Sequence, residues 1–182
     1  MKHAVLGIAL VVAGCASDYV ERPPPPANDG VYGFTNGCYV VDATLPGSSD
    51  TRWLVASPAG DAFSFSARTQ DAGTRFRMRP SDLGTYLFRD DGGGYLVAQG
   101  SALARATTLQ SDLELLDDTF RSPAEWELEP SASDPTRFQL HNYQTGEYLT
   151  PDGTTPDEAH AGVIAFYPGS ISYMDGITDA SD

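Results

Sequence analysis

The stretches "TRFRMRP", Thr74 to Pro80, and "AEWELEP", Ala124 to Pro130, write one frame twice. In each, an aromatic and an aliphatic residue stand on alternate positions and a proline closes the run. The first has Phe76, Met78 and Pro80, the second Trp126, Leu128 and Pro130. The residues between them reverse sign, from Arg75, Arg77 and Arg79 to Glu125, Glu127 and Glu129. Alternation at period two marks a strand with one buried face. A core dictates that inner face, so the frame repeats. The outer face is expected to be solvated, so its charge is free to reverse. Both strands are therefore read as equivalent closing pieces of a repeated unit.

Hairpin-like stretches lie upstream of each. They read "GCYVVDATLPGSSDTRWLVASPAG" from Gly37 to Gly60, "GTYLFRDDGGGYLVAQG" from Gly84 to Gly100, and "TRFQLHNYQTGEYLTPDG" from Thr136 to Gly153. The second and third open on alternating apolar residues, Tyr86 and Phe88 or Phe138 and Leu140, and cross a polar, Gly-containing turn. They resume with Tyr95-Leu96 and Tyr148-Leu149. The first has a longer turn and Trp53-Leu54 in that place. A third closing strand is expected in "AGVIAFYPG", with Phe166 before Pro168. A recurrence at roughly 50 residues is a structural period. One segment departs from it. Leu109, Leu113, Leu116 and Phe120 fall at helical spacing, with Ser111 as a candidate N-cap, which predicts a short helix inserted in the second unit.

Three four-stranded units of about 45 residues resemble a β-trefoil. The expected fold is all-β, with the trefoil spanning residues 31–168. "HNYQTGEYL", with Asn142, Thr145, Gly146 and Leu149, is similar to the corresponding turn of ricin-B-type lectin repeats. The Gln-x-Trp signature and the paired cysteines of those lectins are absent, as they are from fascin-like and arabinofuranosidase-type trefoils. "DLGTYLFRDDGGGYL" also resembles the accessory all-β domain of some secreted dipeptidase-like amidohydrolases.

The N-terminus reads as an address. A short basic start and the apolar run "AVLGIALVVAG" describe a signal peptide over residues 1–14. "VAGC", Val12 to Cys15, resembles a bacterial lipobox, which implies lipid attachment at Cys15. Ala16 after it favours the outer membrane by resemblance to enterobacterial sorting. Residues 15–30 carry four consecutive prolines, Pro23 to Pro26, and form a stiff tether. Residues 169–182 form an acidic tail. The chain is thus expected to be exported and lipid-anchored to the cell envelope, touching the membrane through the anchor alone. With Cys15 committed to lipid, Cys38 is left without a partner and is read as a buried small residue.

Charge excludes one class of partner. The full chain has 11 Lys plus Arg against 25 Asp plus Glu, a net −14. Nucleic acid would be repelled. Catalysis has no foothold either. There is no HExxH, no G-x-S-x-G and no phosphate-binding glycine loop, and "DDGGG", Asp90 to Gly94, lies between strands as a hairpin turn. Cys38 with His141 has no local signature of a nucleophile and base. The acidic loops "DATLPGSSD" and "PDGTTPDE" lack Ca²⁺-loop spacing. No catalytic residue, metal or cofactor is expected.

Carbohydrate is the favoured ligand, because sugars stack on aromatic faces and hydrogen-bond to planar polar groups at the ring edge. The third repeat offers Asn142, Tyr143, Gln144, Tyr148 and Asp152. The second offers Asp90, Asp91, Tyr95 and Gln99, and the first Trp53 with Asp42 and Asp50. Two other readings stay open. One is a protein-binding envelope adaptor or protease-inhibitor-like trefoil using the loops at 44–52 and 102–123. The other is the accessory domain of a secreted metallohydrolase.

Overall fold

The computed structural model describes residues 31–168, except 32, 36, 46, 83, 108–121, 133, 135 and 136. The expected helix within 108–120 and the expected signal peptide, tether and acidic tail lie outside the described residues. Twelve strands follow one another: β1 (Cys38–Thr44), β2 (Thr51–Ala56), β3 (Phe63–Ala67), β4 (Phe76–Asp82), β5 (Thr85–Asp90), β6 (Tyr95–Gln99), β7 (Ala102–Ala106), β8 (Glu125–Pro130), β9 (Phe138–Asn142), β10 (Tyr148–Thr150), β11 (Gly153–Thr155) and β12 (Val163–Pro168).

Their pairing closes on itself. β1 pairs β4, β4 pairs β5, β5 pairs β8, β8 pairs β9, β9 pairs β12 and β12 returns to β1, all antiparallel. Those six strands form a barrel, which removes the open sheet edges that a flat sheet would leave. The other six make cap hairpins, β2–β3, β6–β7 and β10–β11. Six barrel strands and three hairpins in this order are a β-trefoil, with repeats β1–β4, β5–β8 and β9–β12. The strand at "AGVIAFYPG" closes the third repeat fully, over six paired residues from Tyr39↔Pro168 to Thr44↔Val163.

The core fills by equivalent triples, and each is the inward half of an alternating strand. Phe76, Trp126 and Ile164 form one, and Met78, Leu128 and Phe166 another, all at 3% exposure or less. Val41, Phe88 and Leu140 form a third at 0%. Leu54, Leu96 and Leu149 enter from the cap hairpins, also at 0%. Phe34, ahead of β1, plugs the barrel, its ring 4.8 Å from that of Phe166 and 5.3 Å from that of Phe138. The Tyr86 hydroxyl donates to Val31 O at 2.6 Å and ties down the chain where it enters the barrel.

Two sequence expectations need correction. Glu125 does not lie on a solvated face. It is 5% exposed, and its carboxylate accepts from Ser122 N at 2.7 Å, because the segment before β8 folds over it. Cys38 does not stand alone either. It is buried at the start of β1 and disulfide-bonded. The chain has two cysteines, and the other is Cys15, outside the described residues.

Candidate functional site

The closed pairing gives each repeat the same small construction on the outside of the barrel. The first aromatic of the cap hairpin lies across from a polar barrel residue: Trp53 from Asp42, Tyr95 from Arg89, and Tyr148 from His141. A residue of the closing strand flanks the barrel residue on its other side: Ala165, Arg77 and Glu127 respectively. The charge reversal between "TRFRMRP" and "AEWELEP" therefore falls beside these aromatics.

The first copy is plugged. Trp53 is 9% exposed and packs on Tyr167, with ring centroids 4.9 Å apart. Asp42 is 1% exposed, accepts from Arg137 Nη1 at 2.7 Å and from Ala165 N at 3.2 Å, and has no surface left to offer. Asp50 pairs instead with Arg52 at 2.6 Å.

The second copy is basic. Arg89 lies over the half-buried Tyr95 ring at 5.9 Å from its centroid, a cation–π contact. Arg77 stands directly across from Arg89 in the register. Burial first, then the charges of Arg79 and Arg89, push the Arg77 guanidinium below its ordinary value. Like charges facing across strands oppose pairing, so this junction gains nothing from its cross-strand charges.

The third copy is acidic and aromatic. Tyr148 stacks on His141, centroids 4.6 Å apart and planes at 20°. His141 Nδ1 lies 3.7 Å from Glu127 Oε2 and 3.5 Å from Glu129 Oε1. Burial pushes both Tyr148 and Glu129 up, and the neighbouring carboxylates, Glu158 among them, add to it.

Several residues expected to meet a ligand instead build the turns. Asn142 is fully buried. Its Nδ2 donates to Pro123 O at 2.9 Å and Glu125 O at 3.1 Å, and its Oδ1 accepts from Gln144 N and Thr145 N. Asp90 has the corresponding place in the second repeat, 7% exposed, where its carboxylate accepts from Gly94 N at 2.7 Å and from Arg105 through Nε and Nη2. A Cβ at Gly94 would collide with Arg105, so glycine is what lets the guanidinium reach Asp90. Tyr143 is half-buried, while Gln144 and Asp91 are exposed beside these turns.

Gln99 and Asp152 belong elsewhere. Gln99 ends β6, four residues and roughly 13 Å along the strand from Tyr95. Asp152 sits on the β10–β11 turn, in a groove of about 400 Å³ between the cap hairpins, lined also by Phe63, Phe65, Ser64, Ser101 and Leu103. Gly153 holds this turn against the second repeat. Its φ is 137°, a Cβ there would strike Ser101 O, and Thr154 Oγ1 donates to Gly100 O at 3.0 Å. The sequence gives no sign of this groove, because it forms from three hairpins distant along the chain. Cys38 and His141 are not brought together, since one is disulfide-bonded and the other packs under Tyr148.

No family model and no curated protein matches the chain. Among solved structures, that of SeviL bound to asialo-GM1 saccharide is similar, with a TM-score of 0.52 and 14% identity over 72% of this chain and 98% of that one. At that identity the likeness speaks for the fold, and it agrees with the all-β trefoil read from the strand pairing.

Proposed function

We propose that this chain is a non-catalytic, exported, lipid-anchored envelope protein whose β-trefoil binds carbohydrate, through Tyr148 in the third repeat and Tyr95 in the second. One observation carries the reading. The repeated aromatic is plugged in the first copy by Tyr167 but stays partly exposed in the other two, each time beside charged, planar hydrogen-bonding groups. An aromatic face takes the apolar side of a sugar ring. Guanidinium and carboxylate groups at its edge take the hydroxyls with charge-assisted bonds. That a protein of similar fold, SeviL, is bound to a saccharide adds support at the level of the scaffold.

A glycan array probed with the full-length protein in detergent tests this, with hits confirmed by calorimetry. Tyr148→Ala or Tyr95→Ala is expected to weaken a hit at least tenfold with melting temperature unchanged. Tyr143→Ala and Asp152→Ala report in the same assay on the neighbouring turn and on the groove. A blank array across polysaccharides and peptidoglycan fragments overturns the proposal.

A further inference from the structure

We propose that Glu127, Glu129 and His141 form a binding site for a divalent transition-metal ion of the zinc type, with Glu127 Oε2, Glu129 Oε1 and His141 Nδ1 as ligands. This goes beyond the glycan reading and is tested without any sugar.

The backbone sets up the triad. Glu127 and Glu129 are two apart on β8 and so share a face. His141 on β9 is the direct cross-strand neighbour of Glu127. The three ligand atoms lie within 4.8 Å of one another, with the two carboxylates 3.7 and 3.5 Å from the imidazole nitrogen. Zinc at about 2.0–2.2 Å from nitrogen and oxygen ligands in tetrahedral geometry holds them roughly 3.3 Å apart. The His–Glu separations are nearly there already. The glutamate side chains, 39% and 33% exposed, have room to close the remainder. Three protein ligands leave a fourth position for water.

Two further observations point to a cation rather than to chance proximity. His141 Nδ1 is buried from solvent yet makes no hydrogen bond, an expense for which a native structure ordinarily has a reason. The ring is also held in place, with Tyr148 stacked on its face at 4.6 Å between centroids, the kind of outer support that orients metal ligands. The trefoil does not demand these residues. At the equivalent junctions Arg77 lies across from Arg89 with Arg79 two residues on, and Ala165 lies across from Asp42 with Tyr167 two residues on. The choice of nitrogen and oxygen donors favours zinc over the hard cations, which take oxygen alone.

The competing account is a His141 that merely contacts both glutamates and binds no metal. Tag-free, full-length protein stripped with chelator and titrated with Zn²⁺ by calorimetry decides between them. One ion per chain is expected. Glu127→Gln, Glu129→Gln and His141→Asn should each weaken it at least tenfold, with circular dichroism and melting temperature of the metal-free protein unchanged. Tyr148→Phe should weaken it less. The exposed Asp157–His160 pair, 2.6 Å apart, is the built-in control, and Asp157→Asn should leave uptake intact. If a triad variant fails to fold, Co²⁺ bound to the wild-type chain should give a tetrahedral absorption spectrum without thiolate bands, and paramagnetic broadening should centre on His141 and Tyr148. The proposal is overturned by no saturable uptake, by uptake indifferent to the triad, or by uptake that follows His160.

Discussion

Arg137 of the third repeat closes on Asp42 of the first, Nη1 to Oδ1 at 2.7 Å, with a second bond from the same nitrogen to Val163 O. The pair spans the seam where the barrel's last strand meets its first. Asp42 is 1% exposed, and its burial pushes the carboxyl above 3.8 even though Arg137 pulls it down. A carboxyl raised in the fold adds stability below its unfolded value and loses it as pH rises through the folded value. Removing Arg137 removes a downward pull, so that loss deepens. Arg137→Ala is therefore expected to cost about 3 kcal/mol near neutrality and less near pH ~4, read from urea unfolding at both. An equal cost at both pH values would show that Asp42 does not titrate with folding.

Asn142 separates scaffold from site. Its amide holds two carbonyls and two turn N–H groups in a buried position. Truncation leaves several of these unsatisfied, so Asn142→Ala should destabilise the domain by about 3 kcal/mol. Any loss of ligand binding should then come with a lower melting temperature, whereas Tyr148→Ala should lose binding alone. Thermal scans beside calorimetry make the comparison. A stable Asn142→Ala that loses binding would return this residue to the ligand.

Trp53 should behave as core despite standing where Tyr95 and Tyr148 stand. It is packed on Tyr167 and nearly closed to solvent. Trp53→Ala should cost about 3–5 kcal/mol and leave glycan binding by the folded fraction unchanged. Loss of binding without loss of stability would mean that the first copy is live.

The proposed lipid anchor and the Cys38 disulfide exclude one another, because a thioether at Cys15 would leave the chain no second thiol. In acylated protein from membranes, Cys38 should carry a thiol that alkylates only after denaturation, since it is 5% exposed. In chain made without acylation and oxidised, no thiol should be found. Intact mass with and without reductant measures both. A Cys38 thiol in the oxidised, unacylated chain would show that the disulfide does not form.

What was legible in the sequence is whatever the core dictates locally. Phe76, Met78, Trp126 and Leu128 announced their inward face by alternation, and the Tyr-Leu and Trp-Leu pairs marked the cap hairpins. The partners of polar groups were not legible. Asn142 and Asp90 look like ligand residues in a one-dimensional reading, because the turn groups that consume them are recognised only once the backbone bends. Arg137 finds Asp42 at 95 positions' remove. The Glu127–Glu129–His141 triad depends on the register of β8 against β9, which no local pattern states.

Closure of the barrel also sets the order in which this chain can fold. Asp42 Oδ1 receives Ala165 N across 123 residues, and β1 from Tyr39 to Thr44 pairs with β12 in the same way. Contacts of such sequence separation make for slow folding, in the range of milliseconds to seconds for small β-barrels. Until β12 arrives, β1 presents an unpaired edge, open to another chain. A chain built this way cannot complete its barrel before its last strand is available to pair.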